Sequence, residues 1–577
     1  MRRLLPYIKN YKKETIIAPL FKMLEASFEL IIPIIMANII DVGIKQKDTS
    51  YIWKMCLLMI ALGILGLICS LTAQYFAATA SAGFGTELRR DFYKHVNSLS
   101  FQELDNIGTS VLVTRITSDI NLIQAGLNML LRLLLRAPFI VIGAIVMAFT
   151  ISSKLTLIFL IAAPLLGMAI FLMIKITIPI YKKAQKMLEQ VIGETRGNYL
   201  GARVVRAFAR QAQEEATFNE TTEELKLSQT RAGKISGLMN PVTYLLVNLA
   251  IIGILWFGGV EVNIGNISQG QLLALVSYMT QILLSLLAVA FLVMTVTKAV
   301  ASAVRVNEVM AIEPSIVNSK KTAQCVKGDR PLVEFMHVDF GYAKAGELAL
   351  SDINMSIKAG ETIGIIGGTG SGKSTLVNLI PRFYEASAGQ ILIDGNEIKD
   401  YSLEQLRKQI GIVPQKAVLF AGTIRDNIRW GNEKASDEEI YEALTIAQAK
   451  SVVDEKEEGL DTQVSSGGKN FSGGQRQRLT IARALVRKPK ILILDDSASA
   501  LDFVTDAHLR QALKTQTKNM TVFLVSQRAA TVRQADLIIV LDDGQIVGQG
   551  THEELSETCE IYQEICHSQL SREEAIS

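Results

Sequence analysis

Two glycine-rich stretches in the second half of the sequence have residue types and spacings suited to phosphate chemistry. The first runs from Gly367 to Thr375 with the sequence GGTGSGKST. It fits the pattern G-x-x-x-x-G-K-[ST], in which backbone N–H groups of a loop close around phosphate oxygens and a helix N-terminus follows. The second runs from Phe471 to Arg478 with the sequence FSGGQRQR. Together they predict a site that binds a phosphorylated ligand.

The flanks of the first stretch favour a strand, loop and helix in that order. An apolar run with strand character, Thr362–Ile366, precedes the loop, and a helical apolar pattern follows over Leu376–Ile380. A short glycine pattern also occurs by chance in ordinary turns, but such a turn does not need these flanking elements. The predicted phosphate-binding residues are Gly367, Gly368, Thr369, Gly370, Ser371, Gly372, Lys373, Ser374 and Thr375.

A second apolar run supplies the carboxylate that such a loop needs. Residues Ile491–Leu494 form the run, and Asp495 follows directly. In nucleotide sites of this type a carboxylate at the end of a neighbouring strand holds a magnesium ion together with the loop hydroxyl. The second half of the chain is therefore expected to bind ATP with Mg²⁺ as its cofactors.

The combination of the phosphate loop with FSGGQ at Phe471–Gln475 resembles the ATP-binding cassette (ABC) family. Over nearly its whole length the chain is similar to an ABC exporter half-transporter, in which six membrane spans are fused to one nucleotide-binding domain. The resemblance implies that Tyr342 stacks on adenine and that Lys373 reaches the β- and γ-phosphates. It assigns the metal to Ser374, Gln415 and Asp495. It also implies contacts with ATP on a second subunit through Ser472, Gly473, Gly474 and Gln475.

Composition distinguishes an apolar first half from a mixed second half. The 577 residues are 49% hydrophobic, with a mean hydropathy of +0.28, and apolar runs dominate roughly the first 300 residues. The formal net charge is only +3, so no general basic field indicates nucleic acid as a partner. The five cysteines show no paired spacing and are expected to be free thiols.

Six apolar runs reach the length of about 20 helical residues that a bilayer crossing requires. They are Ile16–Ile40, Trp53–Ala80, Leu127–Thr150, Leu155–Ile174, Val242–Val260 and Leu272–Val296. The predicted fold is thus an all-α transmembrane domain of six long helices at residues 1–315, a linker at 316–332, and an α/β P-loop ABC ATPase domain at 333–577.

Lysine and arginine are concentrated at the N-terminus and in the long connections after the second and fourth runs. The positive-inside rule then predicts a multi-pass protein of the inner (cytoplasmic) membrane, with both termini and the ATPase domain in the cytoplasm. The N-terminus, MRRLLPYIKNYKK, lacks the apolar core of a removable signal peptide and is expected to lie on the inner membrane surface as an amphipathic helix.

The long connections continue a helical pattern, so the spans are expected to extend into the cytoplasm and to return through short coupling segments. The resemblance places these segments at Gly108–Asp119 and Glu194–Ala209. On the sixth span, Phe291 and Met294 are candidate substrate contacts, although apolar residues there also serve simple packing.

Three acidic residues in apolar surroundings have two interpretations each. Glu25 and Glu29 lie one helical turn apart on the first span, and carboxylates there indicate a lined cavity. The alternative is that they lie near the inner leaflet edge or pair with Arg132 or Arg136 of the third span. Asp41 lies at the outer end of the first span. It could belong to an external gate or simply end the helix.

The chain departs from the family pattern at the phosphate site itself. Active members place a glutamate after the magnesium aspartate, where it orients or deprotonates the attacking water, but here that residue is Asp496. The histidine that touches the γ-phosphate is replaced by Gln527, and a glutamate before FSGGQ is replaced by Ser466. A misplacement of about 1 Å can cost on the order of a hundredfold in rate. The catalytic positions Asp496 and Gln527 therefore predict slow hydrolysis; a tolerated Glu-to-Asp change in a working homodimer is the alternative.

Because FSGGQ is intact, the chain is expected to complete a competent site on a partner that carries its own glutamate and histidine. The prediction is the degenerate-site half of a heterodimeric bacterial exporter, which moves hydrophobic or amphipathic small molecules, of multidrug type, across the bilayer by alternating access. One rival is a homodimeric lipid flippase. A rival of another class is a non-transporting regulator or ATP-gated channel.

Overall fold

The computed structural model describes residues 5–318, 330–343, 346–517 and 519–569. The chain divides into two compact units. The membrane unit comprises the described residues up to Asn97 together with Thr109–Ile312, and the nucleotide unit comprises Ser98–Gly108 together with the described residues from Glu313 onward. Most of the predicted linker, at residues 319–329, lies outside the described residues, as does Cys325.

Long helices make up the membrane unit. In chain order the helices of this half are α1 (Leu5–Lys9), α2 (Lys12–Asn38), α3 (Thr49–Ser98), α4 (Phe101–Ile107), α5 (Thr109–Thr114), α6 (Ile120–Leu133), α7 (Arg136–Ile151), α8 (Ser153–Leu200), α9 (Ala202–Ala207), α10 (Gln211–Gly237), α11 (Met239–Ile264) and α12 (Gln269–Met310). Wider π-type turns at Ile39–Ile44 and Arg115–Asp119 extend α2 and join α5 to α6.

Six helical segments of the described chain are long and apolar enough to cross a membrane: Lys12–Ile44, Thr49–Ser98, Thr109–Ile151, Ser153–Leu200, Gln211–Ile264 and Gln269–Met310. The predicted six-helix membrane domain is therefore confirmed. Helix α3 alone has 50 residues, or about 75 Å at ~1.5 Å per residue. That length is more than twice the hydrocarbon thickness of about 30 Å, so the helix must continue outside the bilayer.

The third span is broken within the apolar run predicted as one helix. Helix α6 ends at Leu133, and α7 begins at Arg136. The cause lies at Pro138, whose ring has no N–H to donate to the carbonyl of Leu134 and clashes with that carbonyl. The carbonyl of Leu134, which lies between Arg132 and Arg136, therefore lacks the helical donor that residue 138 would otherwise supply.

Asp41 joins the C-terminal end of the first span to the N-terminal end of the sixth. Its Oδ1 accepts a hydrogen bond from the backbone N–H of Gly270 at 3.0 Å, and its Oδ2 accepts one from the hydroxyl of Ser268. A Cβ at Gly270 would lie 2.3 Å from the carbonyl oxygen of Ala37, so only glycine allows this approach. These contacts cap the start of α12, and the helical turns that contain Asp41 continue to Ile44, so Asp41 does not end the first span.

The nucleotide unit is an α/β domain, as predicted. Its strands are β1 (Val333–Phe340), β2 (Leu350–Ile357), β3 (Thr362–Gly367), β4 (Ala388–Ile393), β5 (Asn396–Glu397), β6 (Ile410–Val413), β7 (Gly422–Thr423), β8 (Gln463–Val464), β9 (Ile491–Asp495), β10 (Thr521–Val525), β11 (Leu537–Asp542) and β12 (Gln545–Gly550). Its remaining helices are α13 (Lys373–Leu379), α14 (Leu403–Lys408), α15 (Ile424–Arg429), α16 (Asp437–Ile446), α17 (Lys450–Asp454), α18 (Gly473–Leu485), α19 (Phe503–Gln516), α20 (Ala529–Val532), α21 (His552–Thr558) and α22 (Glu560–Gln569).

A six-stranded sheet in the order β12-β11-β3-β10-β9-β6 forms the centre of this unit. Strands β11, β3, β10, β9 and β6 run parallel, and β12 pairs antiparallel at the edge. Strands β3, β9 and β10 are almost continuous runs of buried apolar residues, which is the pattern of a parallel sheet covered on both faces. A four-stranded antiparallel sheet, β2-β1-β4-β5, accompanies it.

The short helix α4 comes from the connection between the second and third spans yet groups with the nucleotide unit. It ends at Gly108, which has a φ of 84° and so needs glycine. The predicted coupling segment Gly108–Asp119 was therefore placed too far along the chain, because most of it forms α5 and the following π-type turn of the membrane unit. The second predicted segment, Glu194–Ala209, contains the short helix α9.

Candidate functional site

Strand register brings the chemical groups of the nucleotide unit to one edge of the sheet. Strand β10 lies between β3 and β9, and Val525 is paired with both Ile365 and Asp495. The carboxyl ends of parallel strands share one edge, where ligands of open α/β sheets bind. The phosphate loop after β3, the carboxylates after β9 and Gln527 after β10 are therefore neighbours.

The phosphate loop has the backbone that its glycines allow. Gly370 and Gly372 have φ values of 87° and 93°, in the left-handed region that favours glycine. A Cβ at Gly372 would lie 2.8 Å from a methyl carbon of Leu350, so there is also no room for a side chain. Helix α13 then begins at Lys373, and its first N–H groups face the loop.

One cavity of about 280 Å³ collects most of the residues predicted to bind this subunit's own nucleotide. Its lining includes the loop residues Thr369, Gly370, Gly372, Lys373, Ser374 and Thr375, and also Tyr342, Gln415, Asp495, Asp496 and Gln527. These residues come from five separate places in the sequence. The predicted residues Gly367, Gly368 and Ser371 belong to the same loop and bind its lysine: Lys373 Nζ donates to the carbonyl oxygen of Gly367 at 3.0 Å, to that of Gly368, and to the hydroxyl of Ser371 at 3.2 Å.

Two of the three residues assigned to magnesium, Ser374 and Asp495, meet at one point and fit that ion. Ser374 Oγ donates a hydrogen bond to Asp495 Oδ1 at 2.8 Å, so a hydroxyl and a carboxylate already meet at one point. Both are hard oxygen ligands of the kind Mg²⁺ prefers. In the described part of the chain no three His, Cys, Asp or Glu side chains cluster as a metal site. A magnesium ion at nucleotide sites commonly takes one or two protein ligands and completes its shell with phosphate and water; when bound here, it would neutralise charge on the phosphates.

Burial sets the electrostatics of the site. Asp495 is only 6% exposed, and this desolvation raises the pKa of its carboxyl, with a further contribution from the neighbouring charge of Asp496. Desolvation also lowers the pKa of the Lys373 ammonium, against the attraction of Asp496 and Asp495. Both shifts disfavour charge in the free protein. A bound Mg²⁺–phosphate group would supply the opposite charges that these side chains lack.

Asp496 has an unusual backbone conformation. Its φ is 45°, in the left-handed region, which aspartate tolerates better than most residues do. Its backbone N–H donates to the carbonyl of Val525 at 3.0 Å, and its Oδ2 accepts from the Nε2 of Gln415 at 3.2 Å. The short carboxylate is therefore held at the wall of the cavity by a backbone bond and by the predicted metal-contacting glutamine.

Tyr342, the residue predicted to stack on adenine, is held by two side-chain contacts that the sequence did not indicate. The hydroxyl groups of Tyr342 and Thr375 lie 3.0 Å apart, which links it to the first turn after the phosphate loop. The Tyr342 ring also packs edge-on against Tyr384 at a centroid distance of 5.4 Å. Tyr384 in turn donates its hydroxyl to Asp105 of α4 at 2.7 Å. No motif marks Tyr384 or Asp105, because their roles come only from tertiary packing.

The FSGGQ residues do not line the cavity of their own chain. Ser472 is the N-cap of α18: its hydroxyl accepts from the N–H of Gln475 at 3.2 Å, and the Gln475 side chain accepts from the Ser472 N–H at 2.9 Å. Gly473 and Gly474 form the first turn. Ser472 and Gly473 are exposed. This exposed helix N-terminus is suited to an anion, and none of its residues lines the cavity that contains the phosphate loop of the same subunit.

A polar cluster lies within the apolar spans of the membrane unit. Glu25 pairs with Lys22 at 2.5 Å, and Glu29 pairs with Arg136 at 2.8 Å. Glu29 therefore forms the predicted pair with Arg136, whereas the partner of Glu25 is Lys22 of its own helix and not Arg132 or Arg136. Gln281 donates to the carbonyl of Glu29 at 3.3 Å, and its own Oε1 is buried without a hydrogen-bond partner in the described chain.

The third span also carries Arg132, four residues before Arg136. Its Nε atom is buried and has no hydrogen-bond partner among the described residues. On the sixth span, the candidate substrate contacts Phe291 and Met294 are 52% and 38% exposed in the single chain. The bundle thus combines apolar surface with a polar cluster.

Comparison with known proteins supports the assignment made from these features. Residues 15–305 match the family described as the ABC transporter transmembrane region, and residues 350–499 match the family described as ABC transporter. The chain is 36% identical over 573 residues to an uncharacterized ABC transporter ATP-binding protein, YfiB, of Bacillus subtilis, with 99% of each chain covered. It is 33% identical over 563 residues to an ATP-dependent lipid A-core flippase of Desulfotalea psychrophila, with 96% of each chain covered.

A solved structure has the same architecture. A bacterial Atm1-family ABC exporter with ATP bound superposes with a TM-score of 0.81, covering 97% of this chain and 99% of that one, at 24% sequence identity. That likeness concerns the fold. The two family matches and the relatives above 30% identity agree with the nucleotide cavity described above. The chain therefore belongs to the ABC transporter family, and it is a half-transporter in which a six-helix membrane region and one ATP-binding region form a single polypeptide.

Proposed function

We propose that this half-transporter exports hydrophobic or amphipathic small molecules, of multidrug type, as the degenerate-site subunit of a heterodimer in the cytoplasmic membrane. The observation that carries the proposal is the wall of the nucleotide cavity, where Asp496 and Gln527 both line the space beside Lys373 and Asp495. The groups that bind ATP are complete. At the two positions where related ATPases have a glutamate and a histidine that promote hydrolysis, this chain has a shorter carboxylate, Asp496, and an amide, Gln527.

Support for a second subunit comes from the FSGGQ motif. Ser472 and its helix are intact, exposed and absent from the lining of this chain's own cavity. A partner with the usual glutamate and histidine would have its ATP completed by this motif. Apolar side chains around α9 are also strongly exposed in the single chain, and such patches mark interaction surfaces: Tyr199 at 80%, Leu200 at 80%, Val204 at 59% and Phe208 at 75%.

The membrane bundle supports an amphipathic cargo. The polar cluster around Glu29, Arg136 and Gln281 retains unsatisfied buried polar atoms, including the Nε of Arg132. Such atoms are costly in an apolar environment and mark functional positions in membrane spans. A molecule with a polar head and an apolar body could satisfy these atoms while its body packs on apolar span residues such as Phe291.

The proposed cycle is alternating access. ATP brings the two nucleotide-binding domains together and turns the cargo cavity outward, and hydrolysis at the partner's site allows the return. ATP at this chain's own site would stay bound through several cycles. Both termini and the nucleotide unit lie in the cytoplasm in this proposal, which agrees with the distribution of lysine and arginine in the sequence.

The direct test is dye export from inside-out vesicles that contain this chain together with a half-transporter carrying the consensus glutamate and histidine. We expect ATP-dependent accumulation of a fluorescent amphipathic dye against its gradient, and loss of accumulation when the partner's catalytic glutamate is replaced by glutamine. Flow of the dye only down its gradient would overturn the proposal and favour a channel. No nucleotide-dependent movement with any partner would favour a regulator.

A homodimeric lipid flippase is the second candidate, because relatives at 33% and 31% identity carry the name ATP-dependent lipid A-core flippase. The two candidates differ in what the chain can do alone. A homodimeric flippase in liposomes should translocate a fluorescent phospholipid with ATP and without another subunit. Our proposal expects no ATP-dependent translocation from the chain alone.

A further inference from the structure

The last described helix of the chain reaches back to the nucleotide site. Gln569, at the end of α22, uses both atoms of its side-chain amide on one turn of backbone. Its Nε2 donates to the carbonyl oxygen of Gln527 at 2.8 Å, and its Oε1 accepts from the N–H of Ala529 at 2.9 Å. One side chain, 40 or more positions away in sequence, thus holds both ends of the turn that carries Gln527.

That turn is part of the nucleotide cavity. Gln527 lines the cavity together with Lys373, Asp495 and Asp496, at the position that follows the buried strand β10. Just before Gln527, the backbone N–H of Ser526 donates a hydrogen bond to the carbonyl oxygen of Ile365 at 3.0 Å. After it, the N–H of Arg528 donates to the Ser526 hydroxyl at 3.0 Å. The carbonyl of Gln527 itself is held by Gln569, so the amide of Gln569 controls the peptide plane next to the cavity residue.

Helix α22, which carries Gln569, is packed into the core of the nucleotide unit. Tyr562 and Cys566 of the helix are buried in a core cluster with Ile366, Ala529 and Val532, which surrounds the strand before the phosphate loop and the helix after Gln527. The two hydrogen bonds of Gln569 are therefore made between parts of one packed body. Gln569 is exposed, however, so water can replace each bond and the loss of either would be modest.

We propose that Gln569 is a positioning residue for the γ-phosphate end of the nucleotide site. It fixes the turn so that the Gln527 side chain faces the bound nucleotide, and it makes the C-terminal helix part of how the site distinguishes ATP from ADP. This inference rests on ATP binding in the cavity and is independent of the cargo and of the partner.

The test compares two glutamines of the same helix in the full-length chain in nanodiscs. Gln563 also donates its Nε2 to a backbone carbonyl, that of Ser556 at 2.8 Å, but this contact joins α22 to α21 and not to the turn of Gln527. Equilibrium titration would give the affinities for Mg·AMP-PNP and Mg·ADP. In Gln569→Ala we expect the affinity for Mg·AMP-PNP divided by that for Mg·ADP to fall about three- to tenfold, which is the effect of losing one or two partly exposed hydrogen bonds. In Gln563→Ala the ratio should stay unchanged.

A merely structural role for Gln569 predicts a different pattern. Equal weakening of both nucleotides, no change in either, or the same loss of ratio in Gln563→Ala would overturn the proposal. Two further variants keep it testable if Gln569→Ala folds poorly. Gln569→Glu retains the acceptor for Ala529 but loses the donor to Gln527, so its ratio should be lowered. In a Gln527→Ala background, which removes the side chain being positioned, Gln569→Glu should change the ratio no further.

Discussion

The side-chain amide of Gln415 lies 3.2 Å from Oδ2 of Asp496, as donor and acceptor of one hydrogen bond across the nucleotide cavity. The carboxylate that would have to orient water is thus engaged by the residue expected to contact the metal. Asp496 is also one methylene shorter than the usual glutamate, so it cannot easily reach further into the cavity. Its geometry agrees with a site that retains ATP and turns it over slowly.

Restoring both family residues should accelerate this site. In a dimer whose partner site is inactivated, Asp496→Glu combined with Gln527→His is expected to raise ATP hydrolysis by about ten- to a hundredfold, because the longer carboxylate recovers about 1 Å of reach. A steady-state phosphate-release assay measures the change. The positive φ of Asp496 is less comfortable for glutamate, so the gain should lie below the full effect.

The matched control for that experiment is the same double variant with Lys373→Ala, which removes a phosphate ligand and should abolish the gain. An unchanged rate in the double variant, with ATP affinity retained, would show that Asp496 and Gln527 do not limit hydrolysis.

The hydrogen bond between Tyr384 and Asp105 should transmit nucleotide binding to α4. Tyr384→Phe removes the hydroxyl but keeps the ring that packs on Tyr342, so affinity for ATP should remain within about twofold. Mg·ATP should slow hydrogen exchange at residues 101–107 in the unmodified chain and do so less in the variant. Tyr401→Phe is the control, because it deletes a hydroxyl that donates to Ile393 at 2.9 Å elsewhere in the same unit. Equal protection of α4 in all three proteins would contradict the coupling.

Acidification should weaken Mg·nucleotide binding at a higher pH than an ordinary aspartate would allow. The pKa of Asp495 is raised by burial, so on its own the carboxyl favours the folded state at low pH and opposes it as pH rises through that pKa. Magnesium needs the ionised form. The increase in Tm produced by Mg·AMP-PNP is therefore expected to shrink as pH falls towards the raised pKa. In Asp495→Asn the increase should be small and should no longer show this transition; an identical pH profile would contradict the assignment.

The exposed Ser472 should matter to the partner's site and not to its own. In a heterodimer, Ser472→Ala is expected to lower ATPase activity about tenfold or more, since a positioned hydroxyl and helix N-terminus would no longer face the partner's γ-phosphate. The substitution also removes an N-cap, which costs about 1 kcal/mol. Ser436→Ala removes a similar N-cap from α16 and serves as the control for stability. If both variants lose activity equally, the role of Ser472 is structural only.

Local pattern was sufficient for the elements and the nucleotide loop. The strand before Gly367, the carboxylate after Leu494 and the six spans each depend on short runs of residues, and the structure has each of them, except that the third span is interrupted between Leu133 and Arg136. Parallel strand order then brings Asp495, Val525 and the loop together. The motifs at the ends of these strands were therefore enough to predict most of the residues that line the cavity.

Contacts between distant segments could not be predicted in this way. Nothing near Tyr384 indicates Asp105, and nothing near Gln569 indicates Gln527, because each pair meets only when separate elements pack. The first coupling segment was misplaced for a related reason. A helical pattern continues on both sides of Gly108, and only the positive φ of that glycine separates α4 from the helix that follows.

This chain is expected to bind ATP and to depend on a second subunit for rapid turnover. The ATPase rate of the purified, full-length chain in nanodiscs with saturating Mg·ATP, measured beside direct ATP binding, tests that dependence. We expect stoichiometric binding with hydrolysis near background, and a rate at least about tenfold higher once a consensus partner is added. Rapid hydrolysis by the chain alone, with Asp496 and Gln527 unchanged, would contradict the account.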